Sequence, residues 1–182
     1  MEKSLRNIAI RISKEAAFIL LTAVSAVVFP QILHSVGALL GIGGQLGQMF
    51  LPMYLPVMIL GFYRGEIPGA IAGIIAPLVS FALTGMPAAA ILPYITLELV
   101  VTGVLAGAFA RVKLPAVLRV FAVQVLAKAV RLSVYAVALY STAGTVSASA
   151  LTAGILTSVP GLVLQLVVVT IVIVKKENKC NE

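Results

Sequence analysis

The sequence predicts an all-α integral membrane protein with six transmembrane helices and both termini in the cytoplasm. Three observations carry that prediction. The chain of 182 residues is 61% hydrophobic and only 10% charged, against about 25% charged for soluble domains, and its mean hydropathy is +1.13. Apolar runs near the roughly 20 residues that a bilayer crossing takes recur between turns rich in Pro and Gly. The cations gather in alternate connections. No composition shift divides the chain, so residues 1–182 form a single membrane domain.

The elements follow in order. Residues 1–15 form a basic amphipathic segment in which Leu5, Ile8, Ile12 and Ala16 recur at helical spacing. Such a segment lies along the membrane surface or feeds straight into the first span. Span one is expected over Ala16 to Leu33, bent or ended near Pro30. Cations precede this run as in a secretory leader. The run is long for a leader's apolar region and more membrane segments follow, so a retained first helix is expected. Thr22, Ala23 and Ala26 give span one a small-residue face that lets another helix approach closely. That helix is either internal or belongs to another subunit.

Residues 34–50 are expected to be a functional loop rather than a span. They are rich in glycine and carry His34, Gln45 and Gln48; glycine permits unusual backbone angles and close approach to a ligand. A short second span over Leu51 to Phe62 ends in a turn at Tyr63 to Gly69. Span three is Ala70 to Leu83, and Thr84 to Pro87 form a turn. Span four runs from Ala88 to Ala110 and a basic turn ends at Pro115. Span five is Ala116 to Tyr140, and Ser141 to Ser149 form an uncharged loop. Span six is Ala150 to Val174, interrupted at Pro160 and Gly161. Residues 175–182 form a polar cytoplasmic tail.

Topology follows from charge. One side would hold Lys3, Arg6, Arg11, Lys14, Arg64, Arg111, Lys113, Lys175, Lys176 and Lys179, while the loops after spans one, three and five hold no Lys or Arg. Cytoplasmic loops carry the cation excess, so the chain is a multi-pass protein of the cell membrane with its termini inside. Arg119 is close enough to the inner end of span five to snorkel. The same bias accounts for most of the net charge of +7 without nucleic acid. A single cysteine, Cys180, and a single histidine exclude a disulfide framework and a metal-ligand cluster. No GxSxG, HExxH or Walker A run is present, so no catalytic site, no cofactor and no ATP-driven pumping by this chain alone are expected.

The chemistry lies in span five. Gln124, Lys128, Arg131 and Tyr135 step by four, three and four, and so share one helix face. A charge in the middle of a span costs about 2.5–3.5 kcal/mol on insertion scales, so this face turns to protein, a wet cavity or a ligand. Counted inward from the outer ends of spans four and five, Glu98 and Arg131 both lie roughly 15 Å deep at 1.5 Å per residue, which lets them pair. Lys128 lies a turn deeper and leaves one cation unmatched. An unmatched buried cation attracts an anion. One reading is an outward-opening pocket for a small ligand with a carboxylate or similar acceptor. The other is a lock between spans four and five, with Lys128 snorkelling. His34, Gln45, Gln48, Tyr54 and Tyr94 sit toward the same outer side, where they would close over a ligand. Gln165 offers a packing hydrogen bond in span six.

Several stretches together carry a family resemblance. They are Leu51-Pro-Met-Tyr-Leu-Pro-Val57, Gly61-Phe62, Pro68-Gly69 with Gly73, Ala76-Pro77-Leu78, Leu83-Thr-Gly-Met-Pro87, Leu97-Glu98-Leu99 and Arg131. In order and spacing they resemble the substrate-binding S components of energy-coupling factor (ECF) vitamin transporters. The resemblance implies a six-helix membrane module that captures a vitamin or related micronutrient at the outer face. It further implies a transmembrane coupling subunit and two cytoplasmic ATPases as partners, which make the whole an ABC-type importer. In that family small residues on span one, often AxxxA, contact the coupling subunit; here Thr22 and Ala26 stand in that place. The excess positive charge favours an anionic vitamin, of which pantothenate is an example. Two readings from other classes stay open: a structural membrane subunit of a cell-envelope assembly, and a self-sufficient small-molecule carrier.

Overall fold

A computed structural model describes residues 2–41, 49–143 and 148–181. Among them the chain is helical and free of strands. Its helices are α1 (Glu2–Leu39), α2 (Tyr54–Arg64), α3 (Glu66–Thr84), α4 (Leu92–Phe109), α5 (Ala116–Ala143) and α6 (Ala148–Asn181). Five contain a stretch long and apolar enough to cross a membrane: Ile12–Leu39, Glu66–Thr84, Leu92–Phe109, Ala116–Ala138 and Thr157–Lys179. The second span, expected to be short, is α2. Its 11 residues rise only about 16 Å, half of the roughly 30 Å hydrocarbon core.

Prolines account for three corrections. Helix α1 does not end near Pro30 but runs on to Leu39 with Pro30 inside it, so His34 lies on a helix and not in a loop. Helix α6 is continuous through Pro160, and it includes residues 175–181, expected as a tail. Proline removes one intrahelical hydrogen bond, which neighbouring helices compensate in a membrane bundle. Helix α4 begins at Leu92 rather than Ala88, with Pro93 in its first turn, the position where a missing N–H costs nothing.

Helices α3 and α4 form the tightest seam, and glycine makes it. A Cβ placed on Gly103 would lie 2.2 Å from the carbonyl oxygen of Gly69, and one on Gly73 would lie 2.7 Å from the backbone of Leu99. Backbones meet there with no side chain between them. Gly65, at φ +100°, makes the one-residue turn that reverses the chain between α2 and α3, a geometry open to glycine and strained for other residues. Around the seam lie two buried clusters. One joins Ala26, Val57, Leu60, Ala72, Ala76 and Leu99; the other joins Met58, Phe62, Ala106, Val120, Val123 and Val169. Large apolar side chains such as Leu20, Leu21, Leu83, Val137 and Ile171 point outward, as a lipid-facing surface requires.

The small face of α1 is used inside the chain. Thr22, Ala23 and Ala26 are buried, and Ala26 packs in the cluster with Val57 and Ala72. Within this chain the face serves internal packing.

Charged clamps close one end of the bundle. Arg64 binds Glu15 and lies 4.6 Å over the ring of Phe18. Lys176 Nζ donates to the carbonyl of Phe62 at 3.1 Å, and Tyr63 Oη donates to the carbonyl of Val172 at 3.1 Å. Arg119 does not snorkel: it is buried and paired with Glu177 of α6. These bonds hold residues 175–181 in helical register. Because Arg119 loses most of its water, Glu177→Leu is expected to destabilise the protein by about 3 kcal/mol through an unpaired buried cation, read as a lowered unfolding midpoint.

Candidate functional site

Three helices converge on one carboxylate. Glu98 sits mid-way along α4, opposite Lys128 and Arg131 on the inward face of α5, and α2 begins beside it at Tyr54. Glu98 is 1% exposed. Its Oε1 lies 2.7 Å from Lys128 Nζ, and its Oε2 lies 2.8 Å from Arg131 Nη1. Tyr54 Oη donates to the same Oε2 at 2.6 Å, and Lys128 Nζ lies 5.3 Å over the Tyr54 ring. Glu98 and Arg131 are thus paired, as their equal depth predicts. Lys128, expected to be unmatched, shares that carboxylate instead, because α5 presents both cations on one side of it. One acid still faces two bases, so the cluster keeps an excess positive charge.

The rest of the polar face of α5 also turns inward. Gln124 Nε2 donates to the carbonyl of Leu162 at 3.0 Å and approaches Gln165 Oε1 at 3.4 Å, while Gln165 Nε2 donates to the carbonyl of Leu51 at 3.3 Å. These bonds tie α5, α6 and the segment before α2 together. Beside Glu98, Lys128, Gln124 and Gln165 lies a void of about 10 Å³, room for about one water. Tyr94 and Tyr135 pack edge to face, with ring centres 5.5 Å apart and planes at 89°, so α4 and α5 are held together above the charges as well.

Above the cluster, at the end away from the clamps, lies a cavity of about 520 Å³, within the range of small-molecule sites. Helix α2 packs on both α1 and α6. Pro30, Gln31 and His34 form the α1 wall, Ile91 and Ile95 line the α4 side, Thr157 and Ser158 face from α6, and Tyr54 and Arg131 reach it from below. Apolar walls with a few convergent polar groups are the usual make-up of a ligand site.

Two polar atoms of the wall are unsatisfied. Gln31 Nε2 and His34 Nδ1 are buried without a hydrogen-bond partner. Buried polar atoms are nearly always paired, so these two are exceptions on α1.

The expected site residues thus divide. Arg131 and His34 reach the cavity. Glu98, Lys128 and Gln124 lie beneath it, and Tyr94 and Tyr135 brace its side. Gln45 and Gln48 lie outside the described residues. Sequence reasoning missed Gln31, Ser80, Thr157 and Ser158, and gave Tyr54 no role toward Glu98. Gln31 was legible in part: three residues before His34, it shares its face as soon as α1 is carried past Pro30. Among the described residues no three His, Cys, Asp or Glu side chains gather as a metal site would need. No protein-family model, curated protein or solved structure matches the chain.

Proposed function

We propose that the chain is the substrate-binding S component of an ECF-type importer, capturing a vitamin or related micronutrient at the outer face of the cell membrane. The observation that carries the reading is the cavity of about 520 Å³ with the Arg131 guanidinium in its lining. The charge bias of the connections puts the clamped end and both termini in the cytoplasm, so the cavity opens outward. Arg131 takes the carboxylate of an anionic ligand such as pantothenate, while Lys128 and Tyr54 keep Glu98 satisfied. A coupling subunit and two ATPases then drive release to the inside; the chain itself is not an enzyme.

Native mass spectrometry of the purified chain is expected to release one small molecule. Arg131→Ala is expected to weaken its binding at least about thirtyfold, the equivalent of about 2 kcal/mol for a truncated charge pair, with helical content unchanged. Co-purification of a coupling subunit with ATPases separates this reading from a self-sufficient carrier. A ligand-free protein that Arg131→Ala unfolds would sink it.

One observation favours a structural membrane subunit instead: Glu98 is already satisfied by donors from Tyr54, Lys128 and Arg131. On that reading the cluster only binds α2, α4 and α5 together, and Arg131→Ala lowers stability with no ligand to lose.

A further inference from the structure

We infer that the clamped end carries a binding site for the headgroup of an anionic phospholipid, between the start of α1 and the end of α2. A shallow cleft of about 280 Å³ lies there, lined by Asn7, Ile10, Lys14 and Arg64. Asn7, Ile10 and Lys14 are spaced by three and four, so they share the face of α1 that looks at Arg64.

The cleft is electrostatically prepared. Arg64 is held in place by Glu15, with its Nε donating to Oε2 at 3.0 Å, and by the Phe18 ring beneath it. That grip uses one edge of the guanidinium and leaves its other N–H groups for an incoming oxygen. Lys14 forms no ion pair with a described residue. Lys14 and Arg64 against Glu15 leave one positive charge in excess. A phosphodiester carries one negative charge and accepts hydrogen bonds on its free oxygens, so it balances this cleft.

The surroundings select a lipid over a free anion. The cleft sits where the apolar stretch of α1 begins, at Ile12, which is the level of a headgroup. Directly along the same face, four and seven residues past Lys14, come Phe18 and Leu21, 44% and 63% exposed. Acyl chains attached to a phosphate in the cleft would lie on them. Basic pockets at this level between spanning helices are suited to anionic headgroups. The site is independent of whatever the far cavity holds.

The test is native mass spectrometry of the full chain from micelles containing equal phosphatidylglycerol and phosphatidylcholine. One phosphatidylglycerol is expected to be retained in preference. Lys14→Gln is expected to reduce that preference about fivefold, the worth of one cation near the surface, while Lys14→Arg keeps it. Arg64→Gln should act similarly; if loss of its Glu15 pair prevents folding, Asn7→Leu, with a smaller loss, takes its place. Excess glycerol 3-phosphate, which lacks acyl chains, is expected not to displace the lipid. Equal retention of both lipids, or an unchanged preference in Lys14→Gln, overturns the site. Displacement by glycerol 3-phosphate makes it a free-anion site and overturns the lipid assignment.

Discussion

Glu98→Leu is expected to cost the protein about 3 kcal/mol, because it strands the largely buried Lys128 and takes from Arg131 its only carboxylate partner among the described residues. Breaking a buried pair by removing one partner typically costs about 3–5 kcal/mol, and here one carboxylate serves Lys128, Arg131 and the Tyr54 hydroxyl at 2.6–2.8 Å. The cost comes from the orphaned charges and not from a lost attraction. A compensated variant therefore separates the two. Glu98→Leu combined with Lys128→Met and Arg131→Leu removes every charge, and well-packed apolar replacements of buried ion pairs are often neutral or stabilising. Thermal unfolding in detergent should show the single variant severely lowered and the triple variant restored. If the proposed function is right, the restored protein is folded and binds no ligand. A single variant as stable as the parent would mean that the two cations do not depend on this carboxylate.

Gly103→Val carries the second large effect, and it acts through shape alone. Its Cβ would sit 2.2 Å from the Gly69 carbonyl oxygen. Overpacking usually costs about 1–3 kcal/mol because side chains shift to make room. At this contact the obstacle is backbone, so α3 and α4 must move apart. Gly61 and Gly73 approach the same helix to 2.6 and 2.7 Å by the same measure, so the whole seam opens. A loss of at least about 3 kcal/mol is expected, or a drop of about 6–12 °C in unfolding midpoint for a chain of this size. The neighbouring Val104 is 36% exposed on the outer side, and Val104→Leu is expected to change stability by less than about 0.5 kcal/mol. Equal behaviour of the two variants would contradict the seam.

Much of the site was legible because charge in a membrane has few places to go. Gln124, Lys128, Arg131 and Tyr135 recur at helical spacing, and no lipid-facing arrangement tolerates them, so their inward orientation followed from periodicity. Glu98 could be matched to Arg131 by counting rise per residue from the helix ends. The same arithmetic could not see that Lys128 reaches the other oxygen of that carboxylate, since sharing depends on how α4 and α5 rotate about their axes. Nor could it see Tyr54, which arrives from a third helix. Proline misled more than any other residue. Pro30 and Pro160 resembled ends or breaks, yet both lie inside continuous helices, since a helix bundle in a membrane tolerates the one hydrogen bond a proline removes. Gln31 was overlooked for that reason.

Composition and periodicity alone determined that the chain is helical, apolar on its outside and polar along one buried face of α5, because hydrocarbon leaves a backbone only helices or closed barrels and apolar runs of this length fit the helix. Packing decided the rest. It left a cavity above the charges, turned the small face of α1 inward and bound both cations to one acid. Those outcomes depend on which helices touch and at what rotation, and that information resides in contacts between residues far apart in the chain.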